Sequence, residues 1–284
     1  MKKLMVIFSL IIFLTPSASS AVEIRLPLIS DYASQHEYKL GLLRLVLEKA
    51  GVEADIQFGS SKTPQSRAIE QLAYGDEINL FWMGTSAELE EKLLPIRFPV
   101  YRGLLGHRVF VINKGDQEKF SAIKTLADLQ KYHGGQGLGW SDVEILHNSG
   151  LNQRQASYDN LFKMIHSGGR LDYFSRGITE AFKEVSSRRY TLPNLRVEEN
   201  VLLVYPFALF FFISPDNTEL AAILERGFRN AYADGSFNDY FYNHPEIKAA
   251  LEKTRAEQRV RIDIPNPFLT PETTAIPDEY WHNR

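Results

Sequence analysis

Cysteine is absent from all 284 residues. Disulfides and thiolate metal sites are therefore excluded, and the fold has to be held by its core. No Asn-x-Ser/Thr sequon occurs. The 7 histidines are scattered, with no His-Glu-x-x-His or other close spacing of the kind zinc chemistry needs. Positive charge is in short supply: the formal net charge is −3, and removing residues 1–21 would take away two lysines and no acid, leaving −5. That balance excludes the basic footprint of a nucleic-acid-binding protein. Beyond the N-terminus there is no apolar run of membrane-spanning length, since "YPFALFFFI" (205–213) is only as long as a buried strand. Internal repeats and Gly/Ser linkers are missing as well.

What is present begins with an export signal. Lys2 and Lys3 form a positive start, and Leu4 to Leu14 is an apolar run broken by Ser9. Small residues at Ser19 and Ala21 then place a cleavage after Ala21. The expected compartment is the bacterial periplasm. A hydrophobic content of 44% suits a globular chain with a real core, and the length suits two lobes or one large α/β domain.

Strand and helix patterns alternate along the mature chain. Val22–Ile29, Ala54–Phe58 and Ile78–Met83 read as strands, with helices at Tyr38–Ala50 and from Thr63-Pro64 to Ala73. This βαβαβ rhythm implies a parallel sheet with helices on its faces. Further on, Gly106–Lys114 reads as a strand, Thr125–Tyr132 as a short helix and Tyr158–Ser167 as a helix. Leu171–Phe174 is a strand, Ile178–Arg189 a helix, and Val197–Tyr205 and Ala208–Ser214 are strands. Asn217–Ala233 is a long amphipathic helix. From Arg261 onward, Pro265, Pro267, Pro271 and Pro277 predict an extended tail lying over the fold.

The stretch "GGQGLGWSDVEIL" (134–146) has four glycines in six residues before a helix. The dinucleotide pattern Gly-x-Gly-x-x-Gly fails, because Asp142 stands at its last position and would repel a pyrophosphate. No Gly-Lys-Ser/Thr follows either. What is left is a strand, a glycine turn and a helix start at Ser141-Asp142, with Trp140 at the mouth. Its free N–H groups could receive an anion. Alternatively, Ser141 is an N-cap with Glu144 completing a capping box.

Four segments together carry a resemblance. "GDEINLFWMGTSAELEEKLLPIRFPVYRGLLGHRVFVINKGD" (75–116), "KTLADLQKYHGGQGLGWSDVEIL" (124–146), "YDNLFKMIHSGGRLDYFSRG" (158–177) and "ELAAILERGFRNAYADGSFNDYF" (219–241) resemble, in order, segments of extracellular solute-binding proteins of family 3. The resemblance implies an α/β, two-lobed, type II periplasmic binding protein-like fold. Each lobe would be a mixed, mostly parallel sheet flanked by helices, with a hinge cleft between them. Lobe one would be 22–104 plus 205–284, and lobe two 105–204.

The resemblance also implies site residues. Arg108 matches the family's arginine that clamps a ligand carboxylate, a task suited to its bidentate fork. Thr85 matches a hydroxyl residue touching the same carboxylate, and Gly139-Trp140-Ser141 matches the helix start that accepts an anion. Asp172 fits a structural aspartate. Where the family's ammonium-binding carboxylate is expected, this chain has Arg176-Gly177. Trp82 and Met83 stand where small residues are usual, and Tyr32 is placed to stack on a ligand. These departures imply a ligand of more anionic or more planar character, or a pocket that no longer takes amino acids. The leading expectation is a monomeric, cofactor-free, metal-free binding protein. It would capture an amino acid or other small organic anion and deliver it to a membrane permease. A sensing accessory for a membrane receptor domain, or a dehydratase-type enzyme on the same fold, are the alternatives.

Overall fold

The computed structural model describes residues 21–28 and 36–282. Residues 1–20 of the expected signal segment, and Tyr32, lie outside the described residues. The chain opens with β1 (Val22–Leu28), α1 (Glu37–Lys49), β2 (Ala54–Lys62), α2 (Gln65–Tyr74), β3 (Leu80–Gly84), α3 (Ala87–Lys92) and β4 (Leu94–Ile96). It then crosses into a second body. This comprises β5 (His107–Asn113), α4 (Gln117–Ser121), α5 (Leu126–Leu129), β6 (His133–Gly137), α6 (Asp142–Asn148), β7 (Asn152–Ala156), α7 (Tyr158–Ser167), β8 (Tyr173–Gly177), α8 (Ile178–Ser187), β9 (Leu195–Val197) and β10 (Val201–Val204). It returns through β11 (Leu209–Ile213), α9 (Thr218–Ala233), α10 (Ser236–Asn243), α11 (Pro245–Thr254), β12 (Val260–Asp263) and α12 (Pro271–Thr274).

In the first lobe β1 and β2 pair in parallel, but β3 does not join them in the expected parallel sheet, because β11 lies antiparallel between β3 and β4 and takes up its edge. Asn79 joins the two sets. Its Oδ1 accepts from the Arg25 N–H and its Nδ2 donates to the Glu23 carbonyl, both at 2.8 Å. Beside the backbone bond from Asn79 N to the Arg25 carbonyl at 3.0 Å, this side-chain amide adds two rungs between β1 and the start of β3 and satisfies groups that would otherwise be unpaired. Helix α1 packs on α9 over this lobe. Of the run Tyr205–Ile213, read from sequence as a buried strand, Leu209–Ile213 forms β11 and is buried at every position, as its central place in the sheet requires.

The second sheet has the order β12-β10-β5-β8-β6-β7, with β9 beside β5. Strand β6 runs parallel to β7 and β8, and β10 parallel to β12, whereas β5 is antiparallel to β8, β9 and β10. The expected single strand over 197–205 is in fact two. Glu198, fully buried, turns the chain between them. Its carboxylate accepts from the Asn200 and Val201 N–H groups at 2.7 and 3.0 Å and from Arg259 Nη1 at 2.9 Å. The proline-rich tail also differs from expectation. It is preceded by α11 and contributes β12 to the edge of the second sheet before its extended part begins.

Arg102 fastens the end of the tail at the lobe crossing. It holds a left-handed backbone, φ 49°, and is 8% exposed. Nη1 donates to Asn238 Oδ1 at 2.7 Å, and Nη2 to the Glu279 and Trp281 carbonyls at 2.7 and 3.1 Å. A non-glycine residue at positive φ costs roughly 1 kcal/mol, which these charge-assisted bonds outweigh. Arg102→Ala is therefore expected to lower unfolding stability by about 3 kcal/mol, read as a lower urea midpoint. An unchanged midpoint would show that the tail is held by other contacts.

Candidate ligand-binding cleft

Between the lobes lies a cavity of about 550 Å³, a size suited to a small organic ligand. The chain crosses between the lobes beside it. Tyr205 N donates to the Gly106 carbonyl at 3.1 Å, and a Cβ on Gly106 would stand 1.9 Å from the Tyr205 carbonyl oxygen. Only glycine lets the two crossings lie so close. Further in, Ser141 Oγ donates to the Gly84 carbonyl at 2.9 Å, and Lys183 Nζ sits 3.1 Å from Glu246 Oε2. Both contacts run from the second lobe to the first, so the lobes meet around the cavity.

The glycine-rich stretch serves packing. Gly137 ends β6 under the indole of Trp140, where a Cβ would stand 2.1 Å from the ring; at Gly134 and Gly135 a Cβ would strike side chains of the sheet and its covering helix. The capping box considered at Ser141 is not formed, because no side-chain cap bond is made there and the hydroxyl is spent on Gly84.

Arg108, at the start of β5, is 2% exposed and lines the cavity. Nη1 donates to the Leu105 carbonyl and Nη2 to the Ser175 carbonyl, each at 3.0 Å, and Nε to Ser175 Oγ at 3.3 Å. Asp142 Oδ2 lies 3.1 Å from Nη2. The same oxygen accepts from Gln136 Nε2 and from the Tyr205 hydroxyl, both at 2.9 Å. The arginine expected to meet a ligand carboxylate is thus already paired with a carboxylate of the chain itself.

Arg176, at the end of β8, lines the cavity 5% exposed. Nε and Nη2 donate to the two oxygens of Glu184 at 2.8 and 2.7 Å, and Glu180 Oε1 lies 3.0 Å from Nη2. The guanidinium also stands 4.7 Å from the Trp140 ring centre and 5.1 Å from that of Phe174. Burial works against its charge, but Glu180 and Glu184 prevail and raise its pKa. Burial likewise pushes the Glu180 carboxyl up. Arg176, Arg108, Lys39 and the Gly177 N–H overcome it, leaving the pKa below the ordinary glutamate value. Across the cleft, burial lowers the pKa of Lys39 against the pull of Glu246 and Glu180.

The remaining residues singled out from sequence fall in different places. Trp82 lines the first-lobe wall at 7% exposure and also packs on Phe211, with ring centres 6.1 Å apart. Trp140 and Ser141 line the opposite wall. Thr85 does not line the cavity; its hydroxyl donates to Glu90 at 2.5 Å. Asp172 accepts from the His133 N–H at 2.8 Å at the far end of the sheet. Sequence reasoning passed over Glu184, Lys39 and Glu246. A signal for Glu184 exists: it lies one helical turn after Glu180 on α8, so the two carboxylates share the face that meets Arg176 at the end of β8. Asp142 was weighed as a carboxylate that would repel a pyrophosphate and as part of a helix start, not as a partner of Arg108. Among the described residues no cluster of three or more histidines and carboxylates could hold a metal, and no helix is long and apolar enough to cross a membrane.

No family model matches the chain, and no curated protein matches it. Solved structures do. An ancestral arginine-binding protein bound to glutamine aligns with a TM-score of 0.57 at 15% identity, over 79% of this chain and 98% of its own. An arginine-specific periplasmic binding protein of Salmonella typhimurium gives 0.54 at 17% identity, over 82% and 99%. A histidine kinase sensor domain similar to periplasmic binding proteins gives 0.57 at 14% identity, over 78% and 94%. The chain therefore has the two-lobed, type II periplasmic binding protein fold, in agreement with the resemblance seen in its sequence.

His107 opens β5 beside the crossing. Burial lowers its pKa to about 4, with Arg261 and His282 adding to the effect and a bond to the Gly103 carbonyl opposing it. A histidine depressed in the folded state favours folding above its unfolded pKa of about 6.5, and that contribution is lost as pH falls toward 4. Wild type should therefore lose stability between pH 6.5 and 4 more steeply than His107→Asn, by at most about 1.4 kcal/mol per pH unit. Urea melts across this range test the difference, and parallel losses would exclude His107 as the source.

Proposed function

We propose that the protein is a periplasmic solute-binding protein that takes a small organic molecule into the cleft and presents it to a membrane partner. The observation that carries this reading is the cavity itself, which lies beside paired crossings and is bridged by Ser141–Gly84 and Lys183–Glu246. Lobe one (22–104 plus 205–284) and lobe two (105–204) hinge about those crossings, with β12 reaching over to the second sheet. Closure around a ligand is the motion such an arrangement provides. Secretion through residues 1–21 and action as a monomer belong to the same proposal.

Binding is favoured over catalysis by the state of the cleft carboxylates. Asp142 is held by Arg108, Asp159 by Arg188, Glu180 and Glu184 by Arg176, and Glu246 by Lys183. A general base poised to take a proton would sit in a different environment. The same pairing bears on ligand class. The carboxylate-bearing amino acid or small organic anion implied by the resemblance would find Arg108 engaged. The planar alternative suits the walls better, because Phe81, Trp82 and Phe207 face the cavity from one lobe and Trp140 and Tyr158 from the other. A permease is the partner implied by the resemblance, while the likeness to a kinase sensor domain favours sensing as a second reading.

Thermal unfolding against a panel of aromatic and heteroaromatic solutes, amino acids and dicarboxylates tests the proposal. A true ligand at a hundred times its dissociation constant adds about 2.7 kcal/mol, and Trp140→Leu should abolish the shift. Stabilisation by dicarboxylates alone would return the cleft to the anionic class. Silence across a broad panel would remove the solute-binding reading.

A further inference from the structure

The cavity wall contains a polar group of unusual completeness. One cation and two hydrogen-bond donors from three separate places in the chain converge on one oxygen, Asp142 Oδ2: Arg108 Nη2 pairs with it at 3.1 Å, and Gln136 Nε2 and the Tyr205 hydroxyl donate to it, both at 2.9 Å. None of the four side chains is more than 2% exposed. The arginine is fixed independently of the aspartate, because the Leu105 carbonyl, the Ser175 carbonyl and Ser175 Oγ hold its fork. A cation and two neutral donors are therefore aimed at one point by β5, β6 and the crossing at Tyr205. Asp142, which enters from the first turn of α6, is the group that fills it. Both Arg108 and Asp142 border the cavity.

We propose that Asp142 is a specificity-determining residue: its carboxylate fills an anion subsite built by Arg108, Gln136 and Tyr205, so that the cleft refuses carboxylates at that point. A ligand carboxylate brought there would meet Asp142 instead of a free guanidinium, and two carboxylates cannot share the position without one being protonated. The native ligand presents an uncharged part to this wall. The inference rests on the solute-binding reading for its meaning, and it deepens that reading by excluding a ligand class. Its physical content, a preformed anion subsite occupied from within, stands without any native ligand in hand.

The test uses formate as the probe and the full chain as the protein. Asp142→Ala removes the carboxylate and leaves Arg108 buried without its counter-ion, a costly state. Its unfolding temperature should fall by roughly 10 °C in sodium chloride. In sodium formate at equal ionic strength it should recover much of that loss, because formate is small enough to take the vacated place. Wild type should melt at the same temperature in both salts. Asp142→Asn keeps the side-chain volume, so it should fold and ignore formate. Three results would overturn the proposal: an Ala variant that melts alike in both salts, an Ala variant insoluble in both, or an Asn variant as responsive as the Ala variant. Failure of the solute-binding reading appears elsewhere, as a wild-type protein that answers to no solute, and leaves the formate result unaffected.

Discussion

The buried pair of Arg108 and Asp142 organises the middle of this molecule. Its partners come from β5, β8, β6, the start of α6 and the returning crossing at Tyr205. A guanidinium taken out of water costs several kcal/mol unless its charge and its donors are all answered. Here the answer requires each of those elements to stand where it does. The pair lies where the two lobes join, so the second sheet, the crossing and the cavity wall share one electrostatic constraint. Breaking it from one side leaves an uncompensated charge, at a cost of about 3–5 kcal/mol.

The rest of the cleft follows the same pattern of internal neutralisation. Arg176 answers to Glu184 and Glu180 and lies against the Trp140 and Phe174 rings. Lys183 answers to Glu246, which also accepts from the Tyr101 hydroxyl at 2.8 Å. The arginines and carboxylates named here are thus spent largely on the protein. What remains for a ligand is shape and aromatic surface, with polar contact of short reach. A cleft of this kind discriminates by fit and by the penalty for burying an unmatched charge, and less by attraction to a net charge.

Much of the fold was legible from local pattern. The helix over Tyr158–Ser167 is found as read, because apolar positions Leu161, Phe162 and Ile165 recur at helical spacing. Gly75 stops α2 in a left-handed conformation, as a glycine after the last periodic residue should. The ordered series of family-like segments reached the two-lobed architecture as well. Less legible were the breaks made by distant partners. The expected strand over 197–205 divides because Glu198 is gripped by Arg259, some sixty positions away in the chain, and the proline-rich tail yields a strand because β10 has an open edge.

The sequence by itself determined the α/β alternation, the absence of disulfides, the segments that make a binding-protein fold and several residues that line the cleft, Arg108, Trp140, Ser141, Trp82 and Arg176 among them. Periodicity and residue type act over a few neighbours, so a linear reading can reach the alternation, while the cleft residues came through the resemblance of the four segments to family 3 solute-binding proteins. Only the tertiary structure decided that Arg108 answers to Asp142. Asp142 and Arg108 are 34 positions apart, and nothing in either segment announces the other. Their meeting depends on where the start of α6, which packs beside β7, sets Asp142 against Arg108, and that placement gives the arginine expected to meet a ligand a counter-ion already in place.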